Sequence, residues 1–455
     1  MKKTFNKDFL FNMFIIEREE KPACIRNAKK GVINMKDVIV IGGGPSGLMA
    51  SIAAAQYGAK VLLIDKGNTL GRKLAISGGG RCNVTNISPI EQLIENIPGN
   101  GPFMHSPFSI FKNEDIINFF EEMGISLKEE DRGRMFPVSD KAKTVVTTLL
   151  NKVRELGVEI RVNTPVKDLK FTEERVEAVL LENGEVLETK NIIVAVGGKS
   201  VPHTGSTGDG YPWAKKAGHT ITELYPTEVP ITANDSFIKN KLLQGLSLRD
   251  VSLSVIDPES EKVIKTHEGD MVFTHFGISG PIALRCSQYV LKAKKKFKVN
   301  SIPLSLDLFP DKKEDNILVE LEERLNDQPK KALKNVINGW IPERLIPIVL
   351  EKAEVETDIV KAELSNEKKR SLVRMLKDFR ITGTGTLSIE KAFVTGGGVS
   401  VKEIYPKRME SKLKSGLFFC GEVMDLHGYT GGYNITVAFS TGYTAGQAAA
   451  MNLWG

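Results

Sequence analysis

Continuous apolar runs, rather than alternating ones, mark the two ends of this chain. Val38-Ile39-Val40-Ile41 is apolar at every position, as in a strand buried on both faces of a parallel sheet. Gly42-Gly43-Gly44-Pro45-Ser46-Gly47 follows at once, then an alanine-rich stretch over 48–56 that reads as a helix, then a second apolar strand over 60–64 ending at Asp65. Farther on, 158–162, 176–181 and 186–189 read as short strands, with Asn183-Gly184 at a hairpin turn. Residues 191–196 form another buried strand that ends in Gly197-Gly198. Alternation favours strands from 224 to 310, including 246–256 and 271–274, and helical periodicity takes over at 311–378. Strand character returns after Ile381 and leads through 393–399 to a strand at 417–420 and a C-terminal helix over 435–450.

The order strand, G-x-G-x-x-G, helix, strand, acid is the context that makes a glycine pattern a dinucleotide site. Gly42 permits the tight turn, Gly44 lets the backbone approach a pyrophosphate, and Gly47 lets helix and strand pack closely. Pro45 and Ser46 complete the turn, and the free N–H groups of the helix stabilise phosphate charge. Asp65, 23 positions after Gly42, stands where a carboxylate accepts hydrogen bonds from an adenosine ribose, with Lys66 beside it. A second glycine-rich segment holds Arg72, Lys73, Ser77, Gly78, Gly79, Gly80, Arg81, Cys82 and Asn83. Its three cations and unhindered amides suit an extended, doubly phosphorylated cofactor. Thr207-Gly208-Asp209-Gly210 opens a helix over 211–217 with Asp209 as its expected N-cap. Gly431-Gly432-Tyr433-Asn434 precedes the C-terminal helix, whose N-terminus points at whatever binds above that turn.

The strings GRKLAISGGGRCNVTN at 71–86 and GLFFCGEVMDLHGYTGGYNITVAFSTGYTAG at 416–446 resemble the bacterial NAD(P)/FAD-dependent oxidoreductases, flavoproteins that include bile-acid-pathway reductase-like and aminoacetone-oxidase-like members. The resemblance runs from about Met35 to the C-terminus and leaves residues 1–34 outside. It implies an α/β fold: a Rossmann-type FAD-binding domain, glutathione-reductase/fumarate-reductase-like, interrupted by a β-barrel plus a small helical insert. The expected division is 1–34 as a poorly ordered N-terminal extension, 35–223 with 393–455 as the FAD domain, 224–310 with 379–392 as the barrel, and 311–378 as the helical insert. By the same resemblance Val166 contacts the adenine through its backbone, Gly197 and Gly198 pass close to FAD, and Gly421, Glu422 and Asp425 reach the ribityl chain. Gly432, Tyr433, Asn434 and Ile435 lie at the N1 and C2 carbonyl edge of the isoalloxazine.

Charge narrows the partners. Of the 455 residues 62 are basic and 56 acidic; residues 1–34 carry eight of the basic side chains and four of the acidic ones, so the remainder carries a net charge of only +2. No concentrated basic face of the kind a nucleic-acid binder needs is evident, and the lysine run over 292–298 reads as a solvated surface. Residues 311–378 balance 14 basic against 15 acidic side chains, as a surface-exposed helical segment does. Cys24, Cys82, Cys286 and Cys420 are widely spaced and form no metal-ligand cluster with the six histidines, so no metal and a reducing cytoplasm are expected. No segment approaches the roughly 20 apolar residues of a membrane helix. Asn12 interrupts the apolar stretch at 9–16 and Glu17 to Glu20 follow it, which argues against a signal peptide.

The leading reading is a FAD-dependent oxidoreductase that transfers hydride between flavin and a small organic substrate. With a single G-x-G-x-x-G unit no separate nicotinamide domain is expected. Either NAD(P)H docks transiently as reductant, or the substrate itself reduces the flavin. A flavoprotein acting on tRNA or another RNA, and a non-catalytic flavin-binding sensor, are the alternatives. His275, His427 and Tyr433 are candidate proton donors, with no catalytic assignment fixed among them.

Overall fold

The computed structural model describes residues 36–454; the extension expected over 1–34 lies outside them. Strand order in the main sheet is Ile404–Tyr405, Glu410–Ser411, Leu417–Phe419, Asn191–Val194, Val38–Ile41, Val61–Ile64 and Glu159–Arg161. The five strands from Leu417–Phe419 to Glu159–Arg161 are parallel, with Val38 opposite both Asn191 and Val61. All four residues of Val38–Ile41 are buried, as are all four of Val61–Ile64, which is why neither strand alternates in sequence. Two helices rich in small residues cross tightly beside this sheet. A Cβ at Gly442 would lie 2.3 Å from the Ser46 carbonyl oxygen, and one at Gly446 2.2 Å from that of Ala50. The helices Pro45–Gln56 and Tyr433–Met451 therefore approach backbone to backbone.

Six antiparallel strands close a barrel in the order Ile231–Ala233, Gly277–Ser279, Val263–Phe273, Ser247–Ile256, Ile302–Asp307 and Phe379–Thr386. Helix Pro281–Phe297 buries Ile282, Ala283, Cys286, Val290 and Ala293 in the barrel's core. Helices Glu314–Asp327, Leu333–Val336, Ile346–Lys352 and Asn366–Lys377 bury their apolar faces in the same cluster, so the helical segment and the barrel share one core. The two chain crossings between this core and the cofactor domain pair with each other: Tyr225–Thr227 and Val394–Gly396 form an antiparallel ladder, Tyr225 opposite Gly396.

Several boundaries differ from the sequence pattern. The strand expected at 271–274 is the end of a longer one, Val263–Phe273; its outer half is exposed, Val263 and Ile264 included, and shows no apolar–polar alternation. Val166 opens a further strand, Val166–Phe171, between those expected over 158–162 and 176–181. Asp209 stands at the N-cap of helix Gly210–Lys216 but caps nothing; its carboxylate instead accepts from Lys66 Nζ at 2.5 Å and from Thr207 Oγ1 at 2.7 Å. The region 84–157, which has no glycine signature, forms the small sheet Thr85–Asn86, Arg134–Pro137, Leu127–Glu130 and the helices around it.

Candidate functional site

One cleft of about 1070 Å³ runs along the carboxyl ends of the parallel strands, where ligands of open α/β sheets bind. At one end it is lined by Thr164, Val166 and Trp213, in the middle by Gly44, Arg72, Lys73 and Glu422, and at the other end by Asn83, Phe136, Tyr429 and Gly431.

Its first glycine turn contains glycines of two kinds. Gly42 has φ +104°, and a Cβ there would lie 2.5 Å from the Ala195 carbonyl oxygen; a Cβ at Gly47 would lie 1.8 Å from that of Gly42. The fold itself demands both. Gly44 differs: its φ is −78°, and a Cβ would meet nothing within 4 Å. Any residue fits the backbone at 44, and its side chain would project into the cleft. This is a cradle that a Cβ would fill, and it fits a pyrophosphate. No side chain caps helix Pro45–Gln56, which leaves first-turn N–H groups for an anion. Asp65 ties the turn together, accepting from Gly43 N and from Gly67 N, each at 2.7 Å. A carboxylate has about four acceptor sites, so two remain for ribose hydroxyls.

The second glycine segment is a short helical turn that breaks at Ser77, Gly78 and Gly79, where φ/ψ leave the helical region. Lys73 reaches across from it to Glu422 Oε2 at 2.6 Å and Ser200 Oγ at 2.8 Å, while Thr395 N and Ser200 Oγ both donate to Glu422 Oε1 at 2.8 Å. Burial pushes the Glu422 carboxyl up, but the Lys73 ammonium and these hydrogen bonds outweigh it and hold the group below its ordinary value. Arg81 is bound to Glu130 at 2.7 Å and lies 3.5 Å from Asp140, with its guanidinium 4.2 Å from the Phe136 ring centroid.

Most of the expected cofactor residues line this cleft: Gly42, Gly44, Pro45, Ser46, Asp65, Lys66, Arg72, Lys73, Ser77, Gly78, Gly79, Arg81, Asn83, Val166, Gly197, Glu422, Gly432, Asn434 and Ile435. Gly47, Gly80, Cys82, Gly198, Gly421, Asp425 and Tyr433 do not. Cys82 is fully buried, its thiol pushed up to about 12 by desolvation, and it packs. Gly198 abuts Thr395, and Gly421 abuts Ser46. Tyr433 is buried with its ring against Gly431 and its Cβ against Gly428.

Of the candidate proton donors, His275 is exposed between strands Val263–Phe273 and Gly277–Ser279, away from the cleft. His427 is 1% exposed behind the lining, its Nε2 3.4 Å from Tyr225 Oη, and desolvation lowers it to about 4. Sequence reasoning missed Trp213, Phe136, Tyr429 and Thr430, which line the cleft, as well as Ser200 and Thr395; only the position of 429 and 430 beside the Gly431-Gly432 pair signalled any of them.

The turn at 428–432 is held by Asn434 just after it and by side chains from far along the chain. Asn434 accepts from Gly428 N and donates to the Gly428 and Tyr429 carbonyls. Asn86 donates to the Gly431 carbonyl at 3.1 Å, and Tyr289 Oη lies 2.5 Å from Tyr429 Oη.

Comparison with known proteins adds a family profile, the HI0933-like protein Rossmann domain, which matches residues 36–448. A Haemophilus influenzae protein named ribosomal RNA dihydrouridine synthase is 32% identical over 409 residues, 89% of this chain and 96% of that protein. A 3-dehydro-bile acid delta(4,6)-reductase of Clostridium scindens is 29% identical over 420 residues, covering 91% of this chain and 99% of the relative. Among solved structures, a 3-ketosteroid-delta4-(5alpha)-dehydrogenase of Rhodococcus jostii aligns with 93% of this chain and 99% of its own at 16% identity and a TM-score of 0.47. Among the described residues no group of three or more His, Cys, Asp and Glu side chains is placed to hold a metal ion, and no helix is long and apolar enough to cross a membrane.

Proposed function

The chain belongs to the HI0933-like family of FAD-dependent oxidoreductases, and from that premise we propose that it saturates a carbon–carbon double bond conjugated to a carbonyl in a small, planar organic substrate. FAD, when bound, supplies two-electron hydride chemistry. The chain's own residues do the rest. Gly44 and the uncapped helix behind it receive the pyrophosphate, Asp65 the ribose, and the Lys73–Glu422–Ser200 network fixes the middle of the cleft. The 428–432 turn and Phe136 shape the substrate end. NADH or NADPH docks transiently as the reductant, and the buried, unpaired Cys82, Cys286 and Cys420 suit a cytoplasmic setting.

The observation that carries this reading is the self-neutralised electrostatics of the substrate end. Arg81 is paired with Glu130 and Asp140, Lys128 with Asp140 at 2.6 Å, and Arg134 lies 3.9 Å from Glu130. Paired cations leave little charge for a phosphodiester backbone. The names of the two relatives share one step, reduction of a double bond beside a carbonyl, which supports the reaction class for either kind of substrate.

A uridine in RNA is the second reading, favoured by the name of the Haemophilus relative. The test is steady-state NADH and NADPH oxidation by FAD-loaded protein with cyclic enones and, separately, with unmodified ribosomal RNA. Enone-dependent turnover is expected. Turnover only with RNA overturns the small-substrate reading, and none with either overturns the reaction class.

A further inference from the structure

We propose that Glu228 is a positioning residue for the flavin end of the cleft: its carboxyl, sealed beneath the 428–432 turn, holds that turn through the Thr430 amide and exchanges a proton as it does so. The inference rests on reading the cleft as the FAD site.

Glu228 lies where the chain passes from the linking ladder into the barrel, between Thr227 and Val229, and all three residues are completely buried. Its backbone is left-handed, with φ +52°, a conformation that is unfavourable for a non-glycine residue and persists where the surroundings over-determine it. The Phe393 amide donates to its carbonyl at 3.1 Å, which ties it to the returning crossing. Oε2 accepts from Thr430 N at 2.6 Å. Oε1 has no hydrogen-bond partner in the protein. From the other side Arg285 Nη2 donates to the Thr430 carbonyl at 3.0 Å, so both main-chain polar groups of Thr430 are gripped by ionisable side chains. Thr430 and its neighbours Tyr429, Gly431 and Gly432 line the cleft.

A carboxyl with one donor and no ion pair is a poor purely structural choice, since an isolated buried charge is expensive. Around it stand Arg285, Cys286 and Tyr289 of the barrel helix and Tyr429 of the turn, with His267 and Lys265 of strand Val263–Phe273 and Tyr433 of the C-terminal helix grouped about Arg285. Burial raises the Glu228 carboxyl to about 7, against the opposing pull of Thr430 and Arg285. His267 and His427 are lowered to about 3 and about 4 by desolvation, so neither titrates near neutrality. Ionisation strengthens the pull of Glu228 on the Thr430 amide and on Arg285, and the turn that lines the cleft moves with them.

The experiment is a pH titration, across neutrality, of the visible absorption and circular dichroism of the FAD-loaded protein. The parent should show one transition with a midpoint near 7. Glu228→Gln keeps an acceptor for Thr430 and should retain FAD but lose the transition. Arg285→Met removes a cation that favours the carboxylate and should move the midpoint up. An unchanged transition in Glu228→Gln, or none in the FAD-loaded parent, overturns the proposal. Flavin-free protein gives a second readout. The native state keeps a proton that the unfolded state releases, so the parent's melting temperature should fall as pH rises from 4.5 to about 7 and level off above, while that of Glu228→Gln changes less; equal slopes across that window overturn the proposal. Absence of turnover with both enones and RNA while the transition is intact would sink the reaction class alone.

Discussion

Two glycine turns, each leading into a helix, meet at this cleft, and they are built by opposite means. The turn at 42–47 is shaped by its own residues: Gly42 and Gly47 remove the atoms that would collide, Pro45 starts the helix, and its ties to other segments run through main-chain groups, Gly42 N to the Ile64 carbonyl and Gly71 N to the Gly43 carbonyl, with Asp65 as the one side chain. The turn at 428–432 is held from outside, by Asn86, Glu228, Arg285 and Tyr289 as well as Asn434. In the proposed reading the first turn receives what every dinucleotide shares. The second lies, in the same reading, at the end where flavin and substrate meet, and its supports come from the barrel as well as the cofactor domain, so its shape can be altered without touching the pyrophosphate cradle.

The contrast is most severely tested by Gly47→Leu. With a Cβ 1.8 Å from the Gly42 carbonyl, helix and strand must separate, and a loss on the order of 4 kcal/mol or no folded protein is expected, read by chemical denaturation. Next is Glu228→Gln, compared with the parent across pH. The folded carboxyl titrates near 7 and the unfolded one near 4.5, so the parent loses stability as pH rises through that window. The gap between the two proteins should open to about 3 kcal/mol above pH 7 and nearly close below 4.5; a gap that is flat with pH contradicts this. Asn434→Ala removes three hydrogen bonds from the second turn and should cost about 2 kcal/mol while leaving the first turn intact. Smallest is Arg81→Ala, which breaks a largely solvent-facing network and should change stability by less than about 1 kcal/mol.

The same contrast explains what the sequence discloses. Gly47 and Asp65 act within a single strand–helix–strand unit, and Gly42, although it closes on Ala195, belongs to the same glycine spacing, so that spacing alone identifies all three. Lys73 and Glu422, 349 positions apart, reach each other only because two glycine segments fold onto the same sheet, and no periodicity reports that. Glu228 is still less visible: an acid beside buried Thr227 and Val229 looks like part of a strand edge until the fold places Thr430 against it. His275 failed as a candidate for the converse reason, because a histidine in a glycine-rich turn resembles a site residue while the barrel turns it to solvent. Asp209 occupies its expected position, yet Lys66 competes successfully for its carboxylate.

Gly44 decides the central claim, because the fold does not need a glycine there. Protein purified from cells should release FAD on acid treatment at about one per chain, and Gly44→Val should emerge with unchanged folding stability in its flavin-free form but with little or no FAD. Release of FMN, or a Gly44→Val protein that retains its full complement of FAD, would contradict the account.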